Sequence, residues 1–217
     1  GADDYMTKPF EIMELTARVA GIMRRNFRAL SANPLTLLPG GPTIEEEVNR
    51  RIRQKEPFAF LYLDIDNFKA FNDACGYVQG DRVIKAFAGL LAEIAHSAGD
   101  SPFVGHIGGD DFVVVSSPGC AEMIAGQAAA RFDRLAPSFY SEKDRNRTFI
   151  TAKDRRGNEQ KFPIMTLSIS IVTSEKRDLH HYARVADIAA EIKRFLKTMA
   201  DRKGSIWLQD RRQEAKG

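Results

Sequence analysis

Cysteine is scarce in this chain. The two that occur, Cys75 and Cys120, lack CxxC spacing and have no histidine close by. That argues against a disulfide framework or a Cys/His zinc site, and the pair reads as free, buried thiols in a reducing compartment. No apolar run approaches the ~18 residues of a spanning helix, and the opening Gly1-Ala2-Asp3-Asp4 carries no signal-peptide pattern. The expected setting is cytoplasmic, with no membrane in this segment. Charge of one sign is missing too: 32 Lys and Arg are interspersed with 29 Asp and Glu for a formal net charge of +3. Only short basic clusters occur, such as Arg24-Arg25 and Arg211-Arg212, so nucleic acid is not expected as a partner. There is no internal repeat and no low-complexity tract. What remains is a globular composition, 43% hydrophobic and 28% charged over 217 residues, enough for one substantial core plus an appendage or for two small domains.

Residues Gly1 to Phe10 read as a strand-end loop leading into a helix, expected from about Glu11 to Leu30, with Ile12, Leu15, Val19, Ile22 and Met23 at helical spacing. Asn33-Pro34 stops it, because a residue before proline is pushed out of helical geometry. Thr43 is placed to cap a second helix ending near Gln54, with Glu45, Glu46 and Glu47 in its first turn. Phe58 to Asp64 (FAFLYLD) is a nearly continuous apolar run, the pattern of a strand buried on both faces. Helices are expected over Asp66–Cys75, Gly80–Ala98, Ala121–Leu135 and Tyr182–Ala200. Phe103–Ile107 and Phe112–Ser116 flank a Gly-Gly-Asp-Asp turn as a hairpin. Two further strand-like runs lie between Arg147 and Thr173, and Ser205–Leu208 closes as a short strand. Helices mixed with hairpin-linked strands predict an α/β (α+β) fold with a largely antiparallel central sheet.

Two groups of carboxylates stand at strand ends: Asp64 and Asp66 at the exit of the buried strand, and Asp110 and Asp111 at the hairpin tip. Acids beside apolar strands are costly unless solvated, paired or bound to a metal. On neighbouring strands, Asp64 and Asp110 could share a divalent cation, and hard oxygen donors without His or Cys point to Mg2+ or Mn2+. The alternative is that these are polar turn residues. The glycine pair adds weight to the first reading, because it lets backbone approach a ligand closely.

The segment LDIDNFKAFNDACGYVQGD (Leu63 to Asp81), the GGDDF of Gly108 to Phe112 and the LTLLPGG stretch after Pro34 together resemble the GGDEF family of bacterial signalling domains. The resemblance implies a palm-like fold, akin to nucleotidyl cyclases and polymerase palms, and synthesis of cyclic di-GMP from two GTP with Mg2+ or Mn2+. Carried over by position, it implies that Asp64, the Ile65 carbonyl and Asp110 hold metal, and that Asp110 and Asp111 serve catalysis. Asn67, Phe68, Lys69, Gly108, Gly109 and Lys197 would meet the phosphates, and Asn72 and Asp81 would read guanine. A carboxylate can accept from guanine N1–H and N2–H2 together, which adenine cannot match. Each domain holds one GTP, so a second copy is implied as partner. The opening GADDYMTKPF is similar to the end of a response-regulator receiver, with Lys8-Pro9 matching its lysine and proline. That implies a division into residues 1–10 (receiver tail), 11–32 (connector helix) and 33–217 (GGDEF domain), with an upstream receiver and a sensor kinase as partners.

The match has departures. Asp111 stands where the family usually has Glu, and His106 where it usually has Arg; His106 reads either as an outward-facing strand residue or as a catalytic one. Tyr77 replaces a usual His, a position read as packing. Gly99 and Pro102 stand at the usual RxxD, so no product-feedback site is expected. The basic tail is altered, leaving Lys193, Arg194, Lys197 and Lys203 as phosphate candidates, each of which also reads as a solvated helix-face residue. Ser141–Lys161 reads as a charged surface hairpin insertion. Two rival readings stay open: a GGDEF-like module that binds GTP or a related nucleotide without turnover and signals through protein contacts, and a purely structural dimerisation domain.

Overall fold

A computed structural model describes residues 2, 4–153, 159–175, 177–199, 202 and 204–212. In chain order the elements are α1 (Ile12–Ser31), α2 (Gly41–Gln54), β1 (Ala59–Ile65), α3 (Phe68–Cys75), α4 (Tyr77–Ser97), β2 (Phe103–Gly108), β3 (Asp111–Ser116), α5 (Ala121–Leu135), α6 (Glu142–Arg147), β4 (Phe149–Lys153), β5 (Glu159–Pro163), β6 (Leu167–Thr173), α7 (Tyr182–Thr198) and β7 (Ile206–Gln209). Five strands form one sheet in the order β2-β3-β1-β6-β7, antiparallel except for the parallel β6–β7 pair. The mixed α/β fold with a mostly antiparallel sheet is the one the sequence pattern calls for.

β1 lies at the centre, and its side chains alternate between two cores. Leu61, Leu63 and Ile65 join Phe112, Val114, Ile169 and Ile171 under α3, α4 and α5. Phe60 joins Val113, Val115 and Val172 under α2 and α7. Phe87 of α4 stacks edge-on against both Phe112 and Phe132, which locks α4 and α5 onto the first face.

Several local expectations change. α2 starts at Gly41 with Pro42 in its first turn and Gly40 as its cap residue. Thr43 instead lies inside the helix, with its hydroxyl 2.7 Å from that of Ser31, because Pro42 already suits the first turn and α1 ends close by. The 141–161 insertion is not wholly a surface feature: β4 and β5 pair as a separate hairpin, but Ile150 and Ala152 are buried in the first core. Tyr140, just before it, packs edge-on against Phe71 of α3 and accepts a hydrogen bond from the Met165 amide. The apolar stripe of α1 remains uncovered, with Ile12, Met13 and Met23 all more than half exposed. The two cysteines are free and only partly buried.

Candidate active site

Strand alternation sends Asp64, like Phe60 and Tyr62, toward the α7 side of the sheet. The antiparallel register sets Asp64 opposite Asp111 of β3. Asp64 is 3% exposed, so two carboxylates meet where water is scarce. α7 supplies the countercharge: Lys193 Nζ lies 3.0 Å from Asp64 Oδ2 and 3.0 Å from Asp111 Oδ1. The same ammonium sits 3.4 Å from the Tyr62 hydroxyl and 4.5 Å from the centre of its ring. One turn later, Lys197 Nζ lies 2.5 Å from Asp64 Oδ1. That ion pair covers the Asp64 oxygen that Lys193 does not reach.

These contacts set the charges. Burial pushes the Asp64 carboxyl up, but Lys197 and Lys193 outweigh it and hold Asp64 below its ordinary value. Asp111 goes the other way, because burial and the charge of Asp64 exceed what Lys193 returns. Asp110 is pushed up to about 6, first by burial and then by the charges of Asp64 and Asp111. Burial also raises the Tyr62 hydroxyl to about 12, helped by Asp111. Lys193 loses basicity to burial but gains more from the two acids, and stays firmly protonated.

The Gly-Gly turn brings the third acid in. Gly109 has φ +58°, a left-handed conformation that favours glycine. The β2–β3 register slips between His106 and Gly108, and the Asp110 carbonyl accepts from the Ile65 amide at 3.3 Å. The sequence reading paired Asp64 with Asp110. The register gives the cross-strand place to Asp111, with Asp110 close enough to feel both charges. His106 does not face outward: it is 1% exposed and stacks on Phe112 at 4.1 Å. Its Nε2 lies 3.0 Å from the Gly109 carbonyl and its Nδ1 3.0 Å from the Thr36 hydroxyl. Burial lowers its pKa. In the neutral ring Nε2–H donates to Gly109 and Nδ1 accepts from Thr36, so His106 ties the turn to the segment after α1.

The other expected contacts line the next stretch. Asn67 adopts φ +62° at the residue before α3, which places Asn67, Phe68 and Lys69 directly after β1. Phe68 is buried, and Lys69 is exposed and paired with Asp73 at 3.0 Å. Asn72 Oδ1 is buried with no hydrogen-bond partner, and Asp81 is exposed on the facing helix. Between them Gly80 has no side chain for a reason: a Cβ there would lie 1.9 Å from Asn72 Oδ1. Arg194 is exposed, Lys197 and Lys193 reach the acids, and Lys203 lies outside the described residues. Of the basic tail, then, Lys193 is not a solvated residue.

Sequence reasoning missed the support under Asp66. This acid is 4% exposed and accepts from Thr166 Oγ1 at 3.0 Å and from Ser168 Oγ at 2.9 Å. Arg202 approaches it at 3.2 Å. No local pattern ties Arg202 to a strand end more than 130 positions away.

A family description, "Diguanylate cyclase, GGDEF domain", matches residues 34–197. The chain belongs to the GGDEF family. It is 39% identical over 87 residues to diguanylate cyclase DgcP of Pseudomonas aeruginosa, a stretch covering 38% of this chain and 12% of that protein. It is 35% identical over 83 residues to diguanylate cyclase DgcZ of Escherichia coli, covering 37% and 27% respectively. These alignments take in only a small part of either relative. Among solved structures, the coiled coil and GGDEF domain of DgcB from Caulobacter crescentus, in complex with c-di-GMP, aligns with a TM-score of 0.62 at 19% identity, covering 90% of this chain and 95% of that one. The GGDEF domain of PA1120 from Pseudomonas aeruginosa aligns at 0.59 and 24%, covering 82% and 93%. At such identities the likeness carries the GGDEF fold.

The donor set of this GGDEF domain fits a hard divalent cation. Among the described residues no three His, Cys, Asp or Glu side chains form a closed metal cage. Mg2+ does not need one, since it is held through one or two carboxylates plus substrate phosphates. Asp64 and the facing Asp111 are carboxylates of that kind, and here lysines of α7 balance their charge.

Proposed function

We propose that this chain is the diguanylate cyclase output domain of a response regulator, joining two GTP into cyclic di-GMP with two pyrophosphates released. The observation that carries the reading is the convergence of Asp64, Asp110 and Asp111 at the end of the central strand, next to the glycine turn and the start of α3. Asp64, the Ile65 carbonyl and Asp110 would hold Mg2+ or Mn2+, with Asp111 alongside. When bound, such an ion neutralises charge on the reacting phosphate and makes the 3′-hydroxyl easier to deprotonate. The chain's own groups do the rest. Backbone around Asn67, Phe68 and Lys69, with Gly108 and Gly109, faces the triphosphate. Lys197 offers it a positive charge, and Asn72 and Asp81 select guanine. Asp110 and Asp111 are the carboxylates placed to serve catalysis.

A second copy of the domain supplies the other GTP, and the uncovered apolar stripe of α1 supports such pairing. The GADDYMTKPF opening supports an upstream receiver answering to a sensor kinase, with cytoplasmic placement. Among the described residues no helix is long and apolar enough to cross a membrane.

One observation favours the rival, a domain that binds GTP without turnover: Lys193 and Lys197 already engage the acids, and Asp111 is one methylene shorter than the usual Glu. The test is to incubate the full-length protein with a phosphodonor, GTP and Mg2+ and to look for cyclic di-GMP by chromatography. Product supports the cyclase. Mg2+-dependent GTP binding without product moves the conclusion to the binder, and no GTP binding removes both.

A further inference from the structure

Two oxygens on facing strands, Asp64 Oδ2 and Asp111 Oδ1, are bridged by one ammonium at 3.0 Å on each side. A divalent ion held by Asp64, with Asp111 alongside, would draw on carboxylate oxygens that this ammonium already engages. Two cations drawing on the same oxygens compete. The bridging side chain is also well sheltered: its ammonium lies 4.5 Å from the centre of the Tyr62 ring, and only 19% of it is exposed, against 43% for Lys197. Lys197 pairs with the other oxygen of Asp64 and is the more exposed of the two lysines.

We propose that Lys193 is a tethered rival of the divalent ion, filling the space between Asp64 and Asp111 until a metal displaces it and thereby setting the site's metal affinity. The proposal rests on the reading of Asp64 as a metal ligand and goes beyond it by naming what the metal must overcome. Both acids gain a compensating charge whether or not an ion is present, so the fold tolerates an unloaded site. The cost falls on the ion, because each loading event breaks two charge-assisted hydrogen bonds. The displaced ammonium stays on α7, one turn from Lys197, within reach of whatever anion arrives with the ion.

The test measures Mn2+ binding to the intact chain without nucleotide, reading free Mn2+ by electron paramagnetic resonance. Lys193→Met is expected to bind Mn2+ about tenfold tighter than the parent, equivalent to about 1.4 kcal/mol. Lys193→Arg, which keeps the charge, should bind no tighter. Lys193→Gln, whose amide can still bond both acids, serves if the methionine variant fails to fold and should also gain affinity. Equal or weaker Mn2+ binding by the neutral variants overturns the proposal. Asp64→Asn in each background tells which reading has failed. If Mn2+ binds through Asp64 with unchanged affinity, only the lysine proposal falls; if no Asp64-dependent binding exists in any variant, the metal site falls with it. A second readout needs no mutation. Mn2+ should raise acylation of Lys193 by an amine-reactive reagent, measured by mass spectrometry, while exposed Lys85 stays level. Unchanged Lys193 labelling at Mn2+ saturation also overturns the proposal.

Discussion

Asp64 and Asp66 leave the same strand two positions apart, both nearly fully buried, yet they are held by different kinds of group. Asp66 accepts from the hydroxyls of Thr166 and Ser168, short side chains at the start of β6, and pairs with Arg202. Asp64 faces a second carboxylate and is held by two long ammonium side chains reaching over from α7. Hydroxyls on a strand are fixed with the sheet, whereas a four-carbon stem can swing. A buried acid met by short fixed donors belongs to the frame. One balanced by movable charge beside another acid is poised for a ligand.

The contrast breaks most visibly in catalysis. With Asp64→Asn, cyclic di-GMP formation should fall about 10³-fold, or about 4 kcal/mol of barrier, while the urea midpoint moves little because Lys193 keeps Asp111 as its partner. Asp66→Asn should act the other way round. Arg202 loses its carboxylate partner in a largely buried place, and unfolding free energy should drop by about 3 kcal/mol, read from urea melts. Equal loss of stability in both variants would erase the distinction.

The smallest effect sharpens it. Asp110 has a carboxyl raised from its ordinary 3.8 to about 6, so the folded state holds that proton more tightly than the unfolded chain. Its favourable contribution is complete below 3.8 and is lost as pH rises through about 6. Asp110→Asn should therefore melt a few degrees above the parent at pH values over about 6, in chelator, and together with it in acid. Melting curves that coincide at every pH would take Asp110 out of the charge cluster.

Much of this was legible in the sequence, because local patterns decide local structure. The FAFLYLD run marked the central strand, and α5 runs from Ala121 to Leu135 as its spacing implies. The GGDDF turn announced itself through residues that only a tight, left-handed turn requires. What escaped depends on pairing across the sheet. The slip between His106 and Gly108 decides which acid stands opposite Asp64, and no pattern within β3 encodes it. His106 looked free to face solvent because nothing in β2 shows that the segment from Asn33 to Pro39 folds over its edge, with Pro39 accepting from the His106 amide. Lys193 was hidden for a related reason. It follows buried Ile192 and flanks the apolar stripe of α7, a place where a lysine either turns to water or reaches over the rim. The acid beneath, on the strand that α7 packs against but 129 positions away in sequence, makes the choice.

β1 is hydrogen-bonded along both edges, to β3 and to β6, through Asp64 itself. Amides flanked in this way exchange with solvent deuterium only when the whole domain opens, whereas outer strands such as β2 and β7 can fray by themselves. The floor of the candidate site is therefore expected to be the last part of the domain to melt, and its moving parts are side chains laid on rigid ground.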